Sequence, residues 1–136
     1  MKKEILLTVI ASLLIMLFLY ASLSKIIHPK TLIHDMYNQP FPAWLAGILV
    51  IAVPGAEILI SLALIFDRTR RIGLWASLSL MALFTGYAAS ILLHFFPYVP
   101  CGCGGILRML SWPQHLVFNL FFLGVSLAGI LLTRHR

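Results

Sequence analysis

Four stretches of this sequence, roughly Ile5–Ile27, Ala43–Phe66, Ile72–Phe96 and Trp112–Thr133, are almost wholly apolar. A helix needs about 20 such residues to cross ~30 Å of hydrocarbon, and each stretch supplies them. Only 10% of the 136 residues are charged, while 61% are hydrophobic. A soluble domain carries about 25% charged residues, so water is not the solvent this surface is built for. The expected fold is all-α: one integral-membrane four-helix bundle over residues 1–136, in contact with the lipid bilayer.

The basic start Met1-Lys2-Lys3 resembles a signal peptide, but the apolar stretch behind it runs to about 20 residues. Signal cores span ~7–15, and no small-x-small cleavage site follows cleanly, so the segment is read as a retained first span. The net charge of +6 does not point to nucleic acid, because of where the charges lie. Lys2, Lys3, Arg68, Arg70, Arg71, Arg134 and Arg136 fall at the termini and the second loop; Lys25, Lys30 and Arg108 fall on the other side. Seven against three is the positive-inside bias, which places both termini in the cytoplasm of a multi-pass inner-membrane protein. The first and third loops then face the extracytoplasmic side, where disulfides form and persist.

His28-Pro29 ends the first span, since proline disfavours helical geometry in the residue before it. In the following loop, Thr31–Tyr37 is expected to form a short interfacial helix with Leu32, Met36 and Tyr37 facing lipid headgroups. Trp44 and Trp112 mark the outer boundary and Trp75 the inner one. Pro54 is expected to kink the second span. Ser111, Pro113 and Gln114 form a helix start for the fourth, with a capping box and a first-turn proline.

The third loop carries the two cysteines of the chain, in Cys101-Gly102-Cys103-Gly104-Gly105. One intervening residue permits a disulfide only through a tight turn, which Gly102 allows. A strained ring is readily reduced, which suits exchange better than stapling, and so short a loop constrains little of the unfolded chain. Arg108, the start of the fourth helix and His115 one turn in are the groups able to lower a thiol pKa. The same two residues also admit a soft-metal reading, or none beyond small residues in a glycine loop. His28, His34 and His94 lie on the same side, but their spacing is not that of a metal site, and two thiolates do not complete tetrahedral zinc.

His115, Asn119, Ser126 and Thr133 form one polar stripe on the fourth span, and in lipid such a stripe should face the bundle. His115 is then either a proton shuttle for the thiols or an interhelical hydrogen-bonding group. Glu57 is the one carboxylate within a span, a functional candidate by depth. Lys25 is its obvious partner, yet counting separates them: Glu57 lies about 14 residues, or ~21 Å, into its span, while Lys25 is near the outer edge. Direct pairing requires the second span to be shifted outward; otherwise the expectation is a protonated Glu57 hydrogen-bonded to a serine of span one or four, or a polar anchor between helices.

Taken in order, Leu19-Tyr20-Ala21-Ser22-Leu23-Ser24-Lys25, Pro54-Gly55-Ala56-Glu57, Phe84-Thr85-Gly86-Tyr87, Pro100-Cys101-Gly102-Cys103-Gly104-Gly105, and Ser111-Trp112 with His115 and Asn119 resemble the MauE/DoxX group of small four-helix membrane proteins. The most specific part is the Pro-Cys-x-Cys-x-Gly loop followed by Ser-Trp and His-x-x-x-Asn. DoxX-type members generally lack the cysteine pair, so the resemblance leans to MauE. It implies a redox-associated inner-membrane protein, linked in MauE to methylamine utilisation. There it is associated with maturation of a disulfide-rich dehydrogenase subunit beside a thioredoxin-like partner; DoxX is tied to quinone-linked sulfur oxidation. Carried over, Cys101 and Cys103 become the redox pair, with His115 and Asn119 as helix-borne neighbours.

The leading expectation is thiol–disulfide exchange at the outer membrane face, with Cys101, Cys103 and His115 carrying the chemistry. Lys25, Glu57, Arg108 and Asn119 are further candidates. The partner is a thioredoxin-like protein or another extracytoplasmic disulfide-containing protein. No cofactor is fixed by the sequence, though a quinone in the bundle is a candidate electron partner. The rival readings are a non-catalytic assembly factor or complex subunit, and a soft-metal carrier.

Overall fold

The computed structural model describes residues 2–40, 42–93 and 112–134. Five helices follow one another: α1 (Lys2–Ile27), α2 (Pro29–Tyr37), α3 (Ala43–Ile65), α4 (Arg70–Leu92) and α5 (Trp112–Arg134). Four of them, all but α2, are long and apolar enough to cross a membrane. Among the described residues there is no strand.

The breaks between helices follow local chemistry. His28 leaves helical geometry (φ −118°, ψ 66°) ahead of Pro29, which opens α2 in the first-turn position where its missing N–H costs nothing. Pro42 stands extended before α3. Pro54 is buried inside α3, removing one N–H from the ladder, and the helix continues through it. Between α3 and α4 the turn is closed by side chains. Thr69 Oγ1 donates to the Ala63 carbonyl at 2.7 Å and Arg70 Nε to the Leu64 carbonyl at 3.1 Å, satisfying acceptors at the end of α3.

A ring of neighbours, α1–α3–α4–α5, encloses the core, with α3 and α5 on a diagonal. Leu7, Leu14 and Phe18 of α1 recur at helical spacing and pack with Ile10, Ile60, Leu64, Leu74, Met81 and Ile130. Small residues bring backbones close, as they do between membrane helices. A Cβ on Gly73 would stand 3.1 Å from the Leu64 backbone N, and one on Gly129 would stand 2.8 Å from Leu74 Cδ2 and 3.1 Å from Ile10 Cγ2. Ser77 and Ser126 meet across α4 and α5 at 2.7 Å. Other hydroxyls in the spans, including Thr8, Ser12, Ser61, Ser79, Thr85 and Ser90, donate to the carbonyl four residues earlier and so need no partner helix.

The outer surface is apolar: Met16, Ile51, Leu59, Leu83, Val117 and Phe121 are among the exposed side chains. Such a surface is solvated by lipid, as the sequence led one to expect. Trp44 and Trp75 are both exposed, near opposite ends of the bundle. The helix α2 corrects one expectation. Leu32 and Met36 do not face headgroups; both are buried against Ala46, with Leu49, Val50 and Val53 around them, while Tyr37 is the exposed one. They turn inward because the first turns of α3 present an apolar face, from Ala46 to Val53, which α2 covers.

Candidate functional site

The bundle has two unlike ends. At the hairpin end, where α3 turns into α4, the core residues close-pack. At the α2 end, where α1 and α4 finish and α3 and α5 begin, the helices surround a cavity of about 350 Å³. Its walls are mainly aliphatic, with Phe84 on one side, and six polar residues reach it: Lys25, Gln39, Glu57, Tyr87, His115 and Asn119. Lys25, Gln39, Glu57, His115 and Asn119 are each more than nine-tenths buried.

At its base Lys25 and Glu57 pair directly, the arrangement that an outward shift of the second span allows, in place of a protonated Glu57 beside a serine. Lys25 Nζ donates to both carboxylate oxygens of Glu57, at 3.0 and 3.2 Å. Two features close the distance. The α3 helix is displaced toward the α2 end, so that its first three turns pack on α2 and Glu57 comes level with the last turns of α1. Side chains also lean toward the N-terminus of their own helix. Since α1 and α3 run antiparallel, Lys25 leans into the bundle and Glu57 leans out to meet it. The serine expected beside the carboxylate is absent among the described residues: Ser61 donates to the Glu57 backbone carbonyl and Ser22 to that of Leu19.

A second polar link joins α2 to α4. Gln39 Nε2 donates to the Asp35 carbonyl at 3.1 Å, closing the end of α2, and Gln39 Oε1 accepts a hydrogen bond from the Tyr87 hydroxyl. Neither Gln39 nor Tyr87 was a site candidate from the sequence. Tyr87 lies on α4 one turn from Leu83 and Phe84, positions that also face the cavity, and that periodicity is the signal that identifies it. Asp35 of α2 is also buried, with one carboxylate oxygen 3.6 Å from His34 Nδ1.

The polar stripe of α5 faces the bundle as its spacing required. His115 and Asn119 line the cavity, and Ser126 lies deeper, also donating to the Phe122 carbonyl at 3.0 Å. Cys101, Cys103, Arg108, His94 and Ser111 lie outside the described residues. The loop that carries the cysteines joins α4 to α5, two helices that line the cavity. His28 and His34 are exposed, and among the described residues no three His, Cys, Asp or Glu side chains converge as metal ligands.

Chemically, the cavity joins an apolar enclosure to an internally neutralised ion pair and to groups that donate or relay protons. A buried pair of this kind is costly to desolvate and tolerates no loss of one partner.

A family model described as Methylamine utilisation protein MauE matches residues 3–132, nearly the whole chain. The match is to MauE, and nothing in it bears on DoxX. No curated protein and no solved structure matches the chain.

Proposed function

Since the chain belongs to the MauE family, we propose that it is a membrane thiol–disulfide exchange protein associated with methylamine utilisation, working through Cys101 and Cys103 on the extracytoplasmic side of the inner membrane. One cysteine thiolate attacks a disulfide of the partner, forming a mixed disulfide and releasing one partner thiolate. The second cysteine attacks the mixed disulfide, releasing the other partner thiolate and leaving Cys101 and Cys103 joined. Two electrons pass to the partner; the reverse sequence oxidises it. The partner is a thioredoxin-like or other extracytoplasmic disulfide-containing protein whose maturation depends on the exchange.

What supports this reading is the convergence of Tyr87, His115 and Asn119, carried by the two helices that the Cys-x-Cys loop joins, on one cavity. In this scheme His115, three residues into α5, exchanges protons with the thiols, and Arg108 favours the thiolate.

The test is the redox state of the pair in intact cells. Acid quenching and alkylation with a mass-shifting thiol reagent, before and after a membrane-impermeant reductant, should show an oxidised pair that the reductant opens. Cys101→Ser and Cys103→Ser should each abolish exchange, one of them trapping a mixed disulfide. A double Cys→Ser protein with full cellular activity would overturn the proposal and leave the assembly-factor reading in its place.

A further inference from the structure

We infer that the cavity at the α2 end binds a neutral, single-chain amphiphile whose head sets a hydrogen-bond donor beside an acceptor, as a glyceride diol or a fatty amide does. The site lies outside the thiol–disulfide reading, and its test is a binding measurement.

The polar residues that line the cavity are already paired, with one exception. Lys25 and Glu57 hold each other, Gln39 accepts from Tyr87, and His115 likewise has a partner. The Asn119 side chain lines the cavity, is 5% exposed, and makes no hydrogen bond among the described residues. Buried polar side chains are nearly always bonded, so an unbonded amide beside an enclosed space marks where a partner group belongs. Water is the rival occupant, and the aliphatic walls disfavour it, because a buried water needs about 2–4 polar partners.

A primary amide presents N–H donors and a carbonyl acceptor side by side. A ligand head with acceptors alone leaves the Asn119 oxygen unmet, and one with donors alone leaves its N–H groups unmet. A diol or a carboxamide answers both, in a paired contact of the kind asparagine makes with adenine.

Charge and access set the remaining features. Lys25 and Glu57 neutralise each other, so an ion entering the cavity loses its hydration without gaining a counter-ion. At the hairpin end α3 and α4 are drawn together, with Gly73 against Leu64. Toward the α2 end, Leu45, Leu49 and Val53 of α3 and Leu83 and Phe84 of α4 line the cavity instead of closing that seam. Leu83 is also 70% exposed on the apolar outer surface, so the cavity opens sideways to hydrocarbon beside α4. Asn119 is on α5, which flanks α4 on its other side, so the head enters first and the chain trails toward lipid. Leu45, Leu49 and Val53 recur one turn apart and form a file along α3 for that chain. A cavity of ~150 Å³ takes a benzene ring, so about 350 Å³ takes on the order of a dozen carbon atoms.

The experiment uses the full chain in lipid nanodiscs, with a monodecanoylglycerol carrying a diazirine in its chain as photoprobe. Saturable labelling of peptides from α3, α4 and α5 is expected, displaced by unlabelled 1-monodecanoylglycerol and by decanamide; the stronger competitor identifies the head group. At equal mole fraction in the bilayer, methyl decanoate and decylubiquinone, which carry acceptors alone, should compete at least fivefold less well, the factor for one lost hydrogen bond. Decanoate and decylammonium should not compete. In Asn119→Leu protein the preference should vanish, methyl decanoate and decanamide competing alike, a result that misfolding does not produce. Val53→Phe, which blocks the file along α3, should weaken probe binding at least tenfold, while Ile51→Phe on the exposed face of the same helix should leave it unchanged. Non-saturable labelling, the result if water alone fills the cavity, would overturn the inference. So would equal competition by methyl decanoate or decylubiquinone in the unaltered protein, displacement by either ion, or a preference retained in Asn119→Leu protein. Unchanged binding to Val53→Phe protein with an unaltered melting curve would overturn it as well.

Discussion

Lys25 and Glu57, from helices joined through α2, form a two-contact ion pair with side chains only 4% and 2% exposed. Removing one partner from such a pair typically costs about 3–5 kcal/mol, whereas replacing both by apolar groups is often neutral. Lys25→Met and Glu57→Leu should therefore each be strongly destabilising, and the double variant should be more stable than either. Reversible unfolding in mixed micelles measures all three. Losses that simply add would show that the two groups do not act as a unit.

Glycine positions should divide sharply by what surrounds them. At Gly129 a Cβ would press on Leu74 and Ile10, both buried, so Gly129→Val should cost about 1–3 kcal/mol through overpacking. At Gly124 a Cβ meets nothing within 4 Å, and Gly124→Ala should be neutral or raise stability by up to about 1 kcal/mol. The same unfolding assay compares them, and equal losses would contradict the close approach of α5 to α1 and α4.

The contact between Ser77 and Ser126 should matter little when removed cleanly. In Ser77→Ala protein, Ser126 keeps its bond to the Phe122 carbonyl, so no hydroxyl is stranded. Interhelical bonds in membranes average about 0.6 kcal/mol, and a loss near that value is expected. A loss above about 2 kcal/mol would mean that the pair belongs to a larger network.

Sidedness gives a separate prediction from the basic residues. Asn38 and Asp67 are both exposed, at opposite ends of the bundle. In a Cys101→Ser/Cys103→Ser background, Asn38→Cys should react with an impermeant maleimide in whole cells, and Asp67→Cys only after lysis. The opposite pattern would invert the assignment of both termini to the cytoplasm.

How legible all this was in the sequence depends on which signal was consulted. Hydropathy gave the four spans, and the His115–Asn119–Ser126 stripe gave the inward face of α5, because both follow from helical periodicity in an apolar solvent. The ion pair was not singled out because depth was counted from helix ends, which assumes that neighbouring helices start level. Periodicity would have served better. Lys25 shares a face with Leu7, Leu14 and Phe18, and Glu57 with Ile60 and Leu64, so both point into the bundle. The role of Leu32 and Met36 was hidden as well: an amphipathic nine-residue helix reads as interfacial unless the protein surface it covers is known. Gln39 and Tyr87 meet across 48 positions, and no local pattern encodes that contact.

Beneath the ion pair, Leu14 and Phe18 of α1 with Leu64 and Leu74 opposite form a dry layer, each at most 1% exposed. Among the described residues, the cavity is a cul-de-sac. The buried hydroxyls at that depth are already engaged, Ser61 with the Glu57 carbonyl and Ser77 with Ser126. The bundle is thus chemically polarised: its hairpin half is sealed by packing, and polar groups from α1, α3, α4 and α5 gather in the half that α2 covers.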